Sequence, residues 1–301
     1  MRLTRRDFVK ASALGVAASI LSPGELLRAQ RVAEFTPLRR NVGLFTERGG
    51  TIGWLVNDDG VVVIDTQFPD TAEIFLSGLR ERTSRPIDLL INSHHHPDHV
   101  GGNGVIGPAA QRIVAHERTV ENQRRSAQQR GDEATQTFAG VTYTDTWSET
   151  IGDETIRLKY YGGAHTGGDS LIFFEQANVV HLGDLLNNRG YPNIDAPSGG
   201  TVMGWIDVLE AIAPEFSTDT IYVYGHAEAG FPVSGTREDL YHQRDYFNAL
   251  LEHAGRALRE GRSRDEATAL EVLPNFEHFG GTASRLALGL GIAYDELSAS
   301  R

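Results

Sequence analysis

Within the six positions His94-His95-His96-Pro97-Asp98-His99 the chain places four imidazoles and one carboxylate, with two residues between them and the preceding apolar run Leu89-Leu90-Ile91. Neutral imidazole nitrogen and carboxylate oxygen are donors that a borderline cation such as zinc takes. The pattern His-x-His-x-Asp-His is too dense to serve one catalytic ion. On an extended backbone His94 and His96 project to one side and His95 to the other, because side chains alternate along a strand. Pro97 ends such a strand, so Asp98 and His99 follow at a turn or helix start and can face a second ion. The competing reading is a histidine-rich solvated loop.

Three further residues stand where a β-rich run hands over to a loop. Ile156 to Tyr161 leads through Gly162-Gly163-Ala164 to His165, Asn178 to Gly183 ends at Asp184, and Ile221 to Gly225 ends at His226. One histidine after a strand is more often a satisfied polar group than a ligand, but several at the same kind of boundary point to one site.

The ordered set His94-x-His96-x-Asp98-His99, His165, Asp184, His226 resembles the metallo-β-lactamase superfamily. The resemblance implies a first metal held by His94, His96 and His165, a second held by Asp98, His99 and His226, and Asp184 as the bridge. It also implies an α/β fold, a four-layer αβ/βα sandwich with the metals in loops along one edge. Two Zn2+ ions are the expected cofactors, with iron or manganese as alternatives. Such an ion pair lowers the pKa of a shared water and presents hydroxide to a carbonyl, with no serine or cysteine nucleophile required. Asp98 then carries a catalytic role as well, orienting the hydroxide and passing a proton to the leaving group.

The resemblance also narrows the substrate. True β-lactamases of the superfamily carry a cysteine or a non-ligand near the Asp184 position, whereas hydroxyacyl-glutathione thioesterases and lactonases carry a bridging aspartate. The expected activity is a dinuclear zinc hydrolase opening a β-lactam or lactone. Alternatives are a thioesterase of hydroxyacyl-glutathione type, an iron-dependent persulfide dioxygenase and a non-catalytic periplasmic accessory metal protein. The segment after Asp184 is expected to rim the pocket, with Asn187 and Asn193 offering amides and Arg189 a receptor for a carboxylate. An ordinary surface loop is the other reading of that segment. Asp65, Thr66, Asn92, Ser93 and Asp169 are candidates to orient the imidazoles. Asp65 reads equally as a carboxylate capping a strand end. His116, His181, His242, His253 and His278 are read as structural or surface residues.

The elements that must position these groups alternate between strand and helix, which argues for an α/β domain. Thr51 to Val56 and Val61 to Asp65 read as a hairpin across Asn57-Asp58-Asp59-Gly60. Pro86 to Ile91 and Arg112 to His116 read as strands, with further strand content from Val141 to Tyr161 and from Leu171 to Leu182. Thr71 to Arg82, Glu117 to Arg130, Thr236 to Gly261 and Ala283 to Ala299 read as helices. Gly101-Gly102-Asn103-Gly104 permits a close backbone approach beside the histidine loop.

Residues 1–29 read as a twin-arginine export signal, with Thr4-Arg5-Arg6-Asp7-Phe8-Val9-Lys10 before the weakly apolar Ala11 to Leu21 and a cleavage region near Ala29. The apolar run is too short for a stable membrane anchor. Residues 30–301 then form one hydrolase domain in the periplasm or outside the cell. The 301 residues contain no cysteine, which removes both disulfides and thiolate ligands. Their formal charge of -12 becomes -15, from 23 basic against 38 acidic side chains, once residues 1–29 are removed. So acidic a body repels polyphosphate, and a small-molecule substrate is expected with no nucleic acid.

Overall fold

The computed structural model describes residues 33–300, and the segment read as an export signal lies outside the described residues. Strands β1 (Glu34–Arg39), β2 (Val42–Thr46), β3 (Ile52–Val56) and β4 (Val61–Ile64) form an antiparallel meander. Helix α1 (Pro69–Arg82) then crosses over to β5 (Leu89–Asn92), which lies parallel to β4. The short helices α2 (Pro97–Val100) and α3 (Asn103–Ile106) precede β6 (Ile113–His116), helix α4 (Glu117–Arg130) and β7 (Val141–Tyr143). All seven strands hydrogen-bond in chain order, and β4 to β7 are parallel. The four buried residues of β4, Val61 to Ile64, and the apolar Leu89-Leu90-Ile91 of β5 suit a sheet covered on both faces.

A second sheet of six strands contains β8 (Thr146–Ile151), β9 (Glu154–Tyr160), β10 (Ser170–Phe174) and β11 (Val179–His181). The pair β12 (Asn187–Asn188) and β14 (His226–Ala227) stands apart from it, either side of helix α5 (Val202–Ile212) and β13 (Ile221–Val223). After β15 (Ser234–Gly235) the chain turns helical through α6 (Arg237–Arg259), α7 (Arg264–Thr268) and α8 (Ala283–Ala299).

Side-chain alternation divides the core into three apolar layers. Val62, Ile64, Leu89 and Ile91 of the first sheet meet Ile156, Leu158, Ile172 and Val179 of the second. Their neighbours Val61, Val63 and Leu90 point the other way, onto Phe75, Leu76 and Leu79 of α1. Beyond the second sheet, Leu171, Val180 and Tyr222 pack on Trp205, Leu209, Phe247 and Leu286 of α5, α6 and α8. Helix, sheet, sheet and helix give the expected four-layer αβ/βα sandwich. Each fully buried aliphatic or aromatic side chain contributes about 1.5–3 kcal/mol, so these layers, rather than local helix propensity, hold the elements in place.

The hairpin and the helices Glu117–Arg130 and Ala283–Ala299 stand where the sequence predicts them. The strand expected from Pro86 begins at Leu89, because Pro86 has no N–H for the ladder and Ile87 makes only an isolated bridge to Ala110. The span from Val141 to Tyr161 divides into three strands, with Gly152 turning at φ 62 between the last two. Among the described residues no helix is long and apolar enough to cross a membrane.

Candidate metal centre

The segments that carry the site residues follow the C-terminal ends of β5, β9, β11 and β13. His94 and His96 follow β5, Asp98 and His99 lie on α2, His165 follows β9, Asp184 follows β11 and His226 opens β14 just after β13. At the end of β4, Asp65 adopts φ 63, a left-handed conformation that costs a non-glycine residue about 1–3 kcal/mol. Its buried carboxylate accepts hydrogen bonds from the Ser93 N–H at 2.7 Å and the Ser93 hydroxyl at 2.6 Å, which offset that cost and fix the start of the histidine loop.

The donors gather in two nests. His94 Nε2 lies 3.2 Å from His96 Nδ1, and His96 Nδ1 lies 2.9 Å from His165 Nε2. In the second nest His226 Nε2 stands 3.3 Å from His99 Nε2 and 3.2 Å from Asp98 Oδ2. Asp184 stands between them with its two oxygens divided. Oδ2 is 3.4 Å from His165 and 3.8 Å from His94, while Oδ1 is 3.0 Å from His99 and 3.4 Å from His226. Each nest, the first with Asp184 included, is compact enough to hold a cation.

In the first nest the outward nitrogens show why the inward ones are lone pairs, whereas His99 in the second nest makes an outward hydrogen bond of its own. His99 Nδ1 donates to Asp65 Oδ2 at 2.7 Å, and His165 Nδ1 donates to the Asn193 carbonyl at 2.6 Å. The Ser93 hydroxyl, already donating to Asp65, accepts from His94 Nδ1 at 3.1 Å. His96 is turned the other way, its Nε2 donating to Asp195 Oδ2 at 3.0 Å. With those protons placed, His94 Nε2, His96 Nδ1 and His165 Nε2 converge without a hydrogen to share. The buried Oδ1 of Asp184 likewise has no hydrogen-bond partner. Converging lone pairs and an orphaned carboxylate oxygen in a buried site are what a pair of divalent cations satisfies.

Charge within the site follows the same division. Burial and the neighbouring His99 hold His94 well below the ordinary imidazole range, and burial pushes His165 down to about 4. Burial also opposes a charge on His99 and His226, yet Asp184 and the other carboxylates outweigh it, holding His99 well above its ordinary value and raising His226 to about 9. Burial would raise Asp184 and Asp98, but the imidazoles hold Asp184 well below its usual range and bring Asp98 to about 2. Cations bound here would take the place of the protons on His99 and His226.

A cavity of about 340 Å3 opens over the nests, lined by His96, Asp98, His165, Asp184 and His226 and by Asn187, Tyr191, Asn193, Trp205 and Arg285. Asn187 and Asn193 therefore line the cavity. Arg189 does not. It is drawn to Asp239 Oδ1 at 3.6 Å, between Phe231 and Phe279, and its side chain is 14% exposed. The carboxylate that captures it is fifty positions away in the chain, on α6.

His95 faces away from the nests toward Asp195 Oδ2 at 3.5 Å and the Ser198 hydroxyl at 3.4 Å. His95, His96 and Asp195 form a third compact group, but its atoms are already joined by hydrogen bonds. Thr66 and Asn92 act through the backbone and Asn103 rather than on an imidazole, and Asp169 caps Thr166. His116, His181 and His253 each contact a backbone carbonyl away from the site. Sequence reasoning missed Asp195, the Asn193 carbonyl and Arg285. Asp195 sits three residues before Ser198, whose N–H its side chain accepts, and so reads as a turn residue.

Glycine lets the backbone close around the bridge. Gly183 turns at φ 51 immediately before Asp184, and a Cβ there would meet the Ser93 hydroxyl at 2.7 Å. A Cβ on Gly225 would overlap Asp184 Oδ1 itself.

A family model described as the Metallo-beta-lactamase superfamily matches residues 45–249. Over 276 residues the chain is 25% identical to the hydroxyacylglutathione hydrolase of Brucella ovis, covering 86% of this chain and 94% of that protein. It is 27% identical over 152 residues to the 2,4-dinitroanisole O-demethylase subunit alpha of Nocardioides sp. (strain JS1661), where the match spans half of this chain and 45% of that one. Among solved structures, the metallo-beta-lactamase from Pontibacter korlensis superposes with a TM-score of 0.59 at 19% identity, over 72% of this chain and 99% of that one. These likenesses agree with the layered fold.

Proposed function

We propose a function from the premise that the chain belongs to the metallo-β-lactamase superfamily and is a metallo-hydrolase. The reaction is hydrolysis of a carbonyl compound by a dinuclear zinc site, with a β-lactam or lactone as the cyclic amide or ester that is opened. One observation carries this reading: the two oxygens of Asp184 are divided between the nests.

When bound, a pair of divalent ions supplies a water of lowered pKa and an electrophile for the carbonyl oxygen. The remaining work belongs to the chain. Imidazole and carboxylate donors without thiolate suit zinc, and iron or manganese can use the same set. Asp98, 3.2 Å from His226 Nε2 and lining the cavity, is placed to orient the attacking water and to pass a proton to the leaving group. The Asn187 side chain in the cavity wall is placed to hydrogen-bond the substrate carbonyl. A cavity of about 340 Å3 suits a small molecule rather than a polymer. Export by a twin-arginine signal, and hence action in the periplasm or outside the cell, remains part of the proposal on the strength of Arg5, Arg6, Phe8 and Lys10.

A thioester is the second reading. It is favoured by the likeness to a hydroxyacylglutathione hydrolase along most of both chains. Purified zinc-loaded protein, assayed on nitrocefin, a homoserine lactone and a hydroxyacyl thioester with and without chelator, separates these readings. Chelator-sensitive turnover of nitrocefin or the lactone supports the first, and turnover of the thioester alone supports the second. Inactivity on all three, or a single iron per chain, contradicts both.

A further inference from the structure

Arg285 is the third residue of α8 and half-buried in the wall of the cavity. Its backbone N–H is held by Thr282, but among the described residues its guanidinium has neither a hydrogen bond nor an ion pair. Several arginines are taken up, Arg48 by Asp70, Arg189 by Asp239 and Arg264 by Asp295, whereas Arg80, Arg256 and Arg259, which have no such partner among the described residues, stand exposed and away from the cavity. A cation in the first turn of a helix also opposes the helix dipole, so helix stability does not account for it. The other charged groups lining the cavity, Asp98 and Asp184 among them, belong to the two nests and are occupied when cations bind. Arg285 is then the fixed positive charge left over for a substrate. Its planar fork matches the two oxygens of a carboxylate.

We propose that Arg285 receives a carboxylate of the substrate set apart from the bond that is broken, so that the substrate is a carboxylate-bearing ester, amide or thioester. The inference rests on the hydrolase reading of the cavity and assigns to Arg285 the anion-binding role that the sequence suggested for Arg189.

Binding of thiol probes to the zinc-loaded protein tests it without turnover, because a thiolate anchors on the metals and leaves the far end of the probe to report on Arg285. Calorimetry compares 3-mercaptopropionate with its methyl ester and with 2-mercaptoethanesulfonate. The acid is expected to bind about 10- to 100-fold tighter than the ester, as a charge-assisted hydrogen bond provides. Arg285→Gln should abolish that ratio and Arg285→Lys should keep part of it. Equal binding of acid and ester, or a ratio that survives in Arg285→Gln, overturns the assignment. Tighter binding of the sulfonate overturns the choice of carboxylate. A ratio lost in Arg285→Gln supports the inference even where the turnover panel fails, so the two failures are distinguishable.

Discussion

Asp195 accepts a hydrogen bond from His96 Nε2 at 3.0 Å, and this contact turns the Nδ1 of His96, rather than its Nε2, toward His94 and His165. Burial works against the Asp195 charge, but hydrogen bonds from His95, His96 and Ser198 hold its carboxyl well below the usual range. Asp195→Ala should keep the fold and lower metal affinity about 10- to 100-fold, the usual consequence of losing a carboxylate behind a metal-binding imidazole. Titration against a competing chelator measures this. Unchanged affinity would show that His96 needs no such orientation.

Asp65 holds Ser93 through two hydrogen bonds and His99 Nδ1 through a third. Asp65→Ala leaves those buried donors unsatisfied, so it should cost about 3 kcal/mol or more in urea unfolding and reduce metal occupancy. A fully stable variant with normal occupancy would make Asp65 a strand cap and nothing more.

Gly225→Ala sets a methyl group against Asp184 Oδ1. Its expected effect is loss of metal with the circular dichroism of the native protein retained. Gly140→Ala, where a Cβ meets nothing within 4 Å, is the matched control and should change neither. Equal behaviour of the two variants would contradict the close approach of Gly225 to the bridge.

Burial holds Asp169 up at about 6 against an ordinary 3.8. The native protein therefore keeps a proton that the unfolded chain releases, and this group lowers stability as pH rises from roughly 4 to 6, by about 3 kcal/mol across two pKa units. Below that window the penalty is absent. Asp169→Asn should flatten this part of the pH profile of the urea midpoint relative to the native protein. Parallel profiles would contradict it.

Much of this architecture was legible because burial leaves a period in the sequence. Val61 to Ile64 and Leu89 to Ile91 announce a covered sheet, and His94 to His99 announce metal by donor type and spacing alone. Helix Val202–Ile212 carries an equally readable stripe in Val202, Trp205, Val208, Leu209 and Ile212, all buried, and went unread beside the stronger signals. What could not be read was pairing between distant residues. Arg189 looks like a free cation next to Asp184 until Asp239 arrives from α6, and Arg285 looks like a surface helix residue until α8 packs beside the cavity. Asp195 is 99 positions from the imidazole it orients, and nothing in its neighbours signals a metal.

The central claim is that Asp184 joins two nests into one dinuclear site, and metal content per chain tests it most directly. Elemental analysis of the purified protein should find two divalent ions per chain. Asp184→Ala should lose metal and most turnover, while His95→Ala should keep both ions because its ring faces Asp195 and Ser198. One ion per chain in the native protein, or equal loss of metal from Asp184→Ala and His95→Ala, would contradict the account.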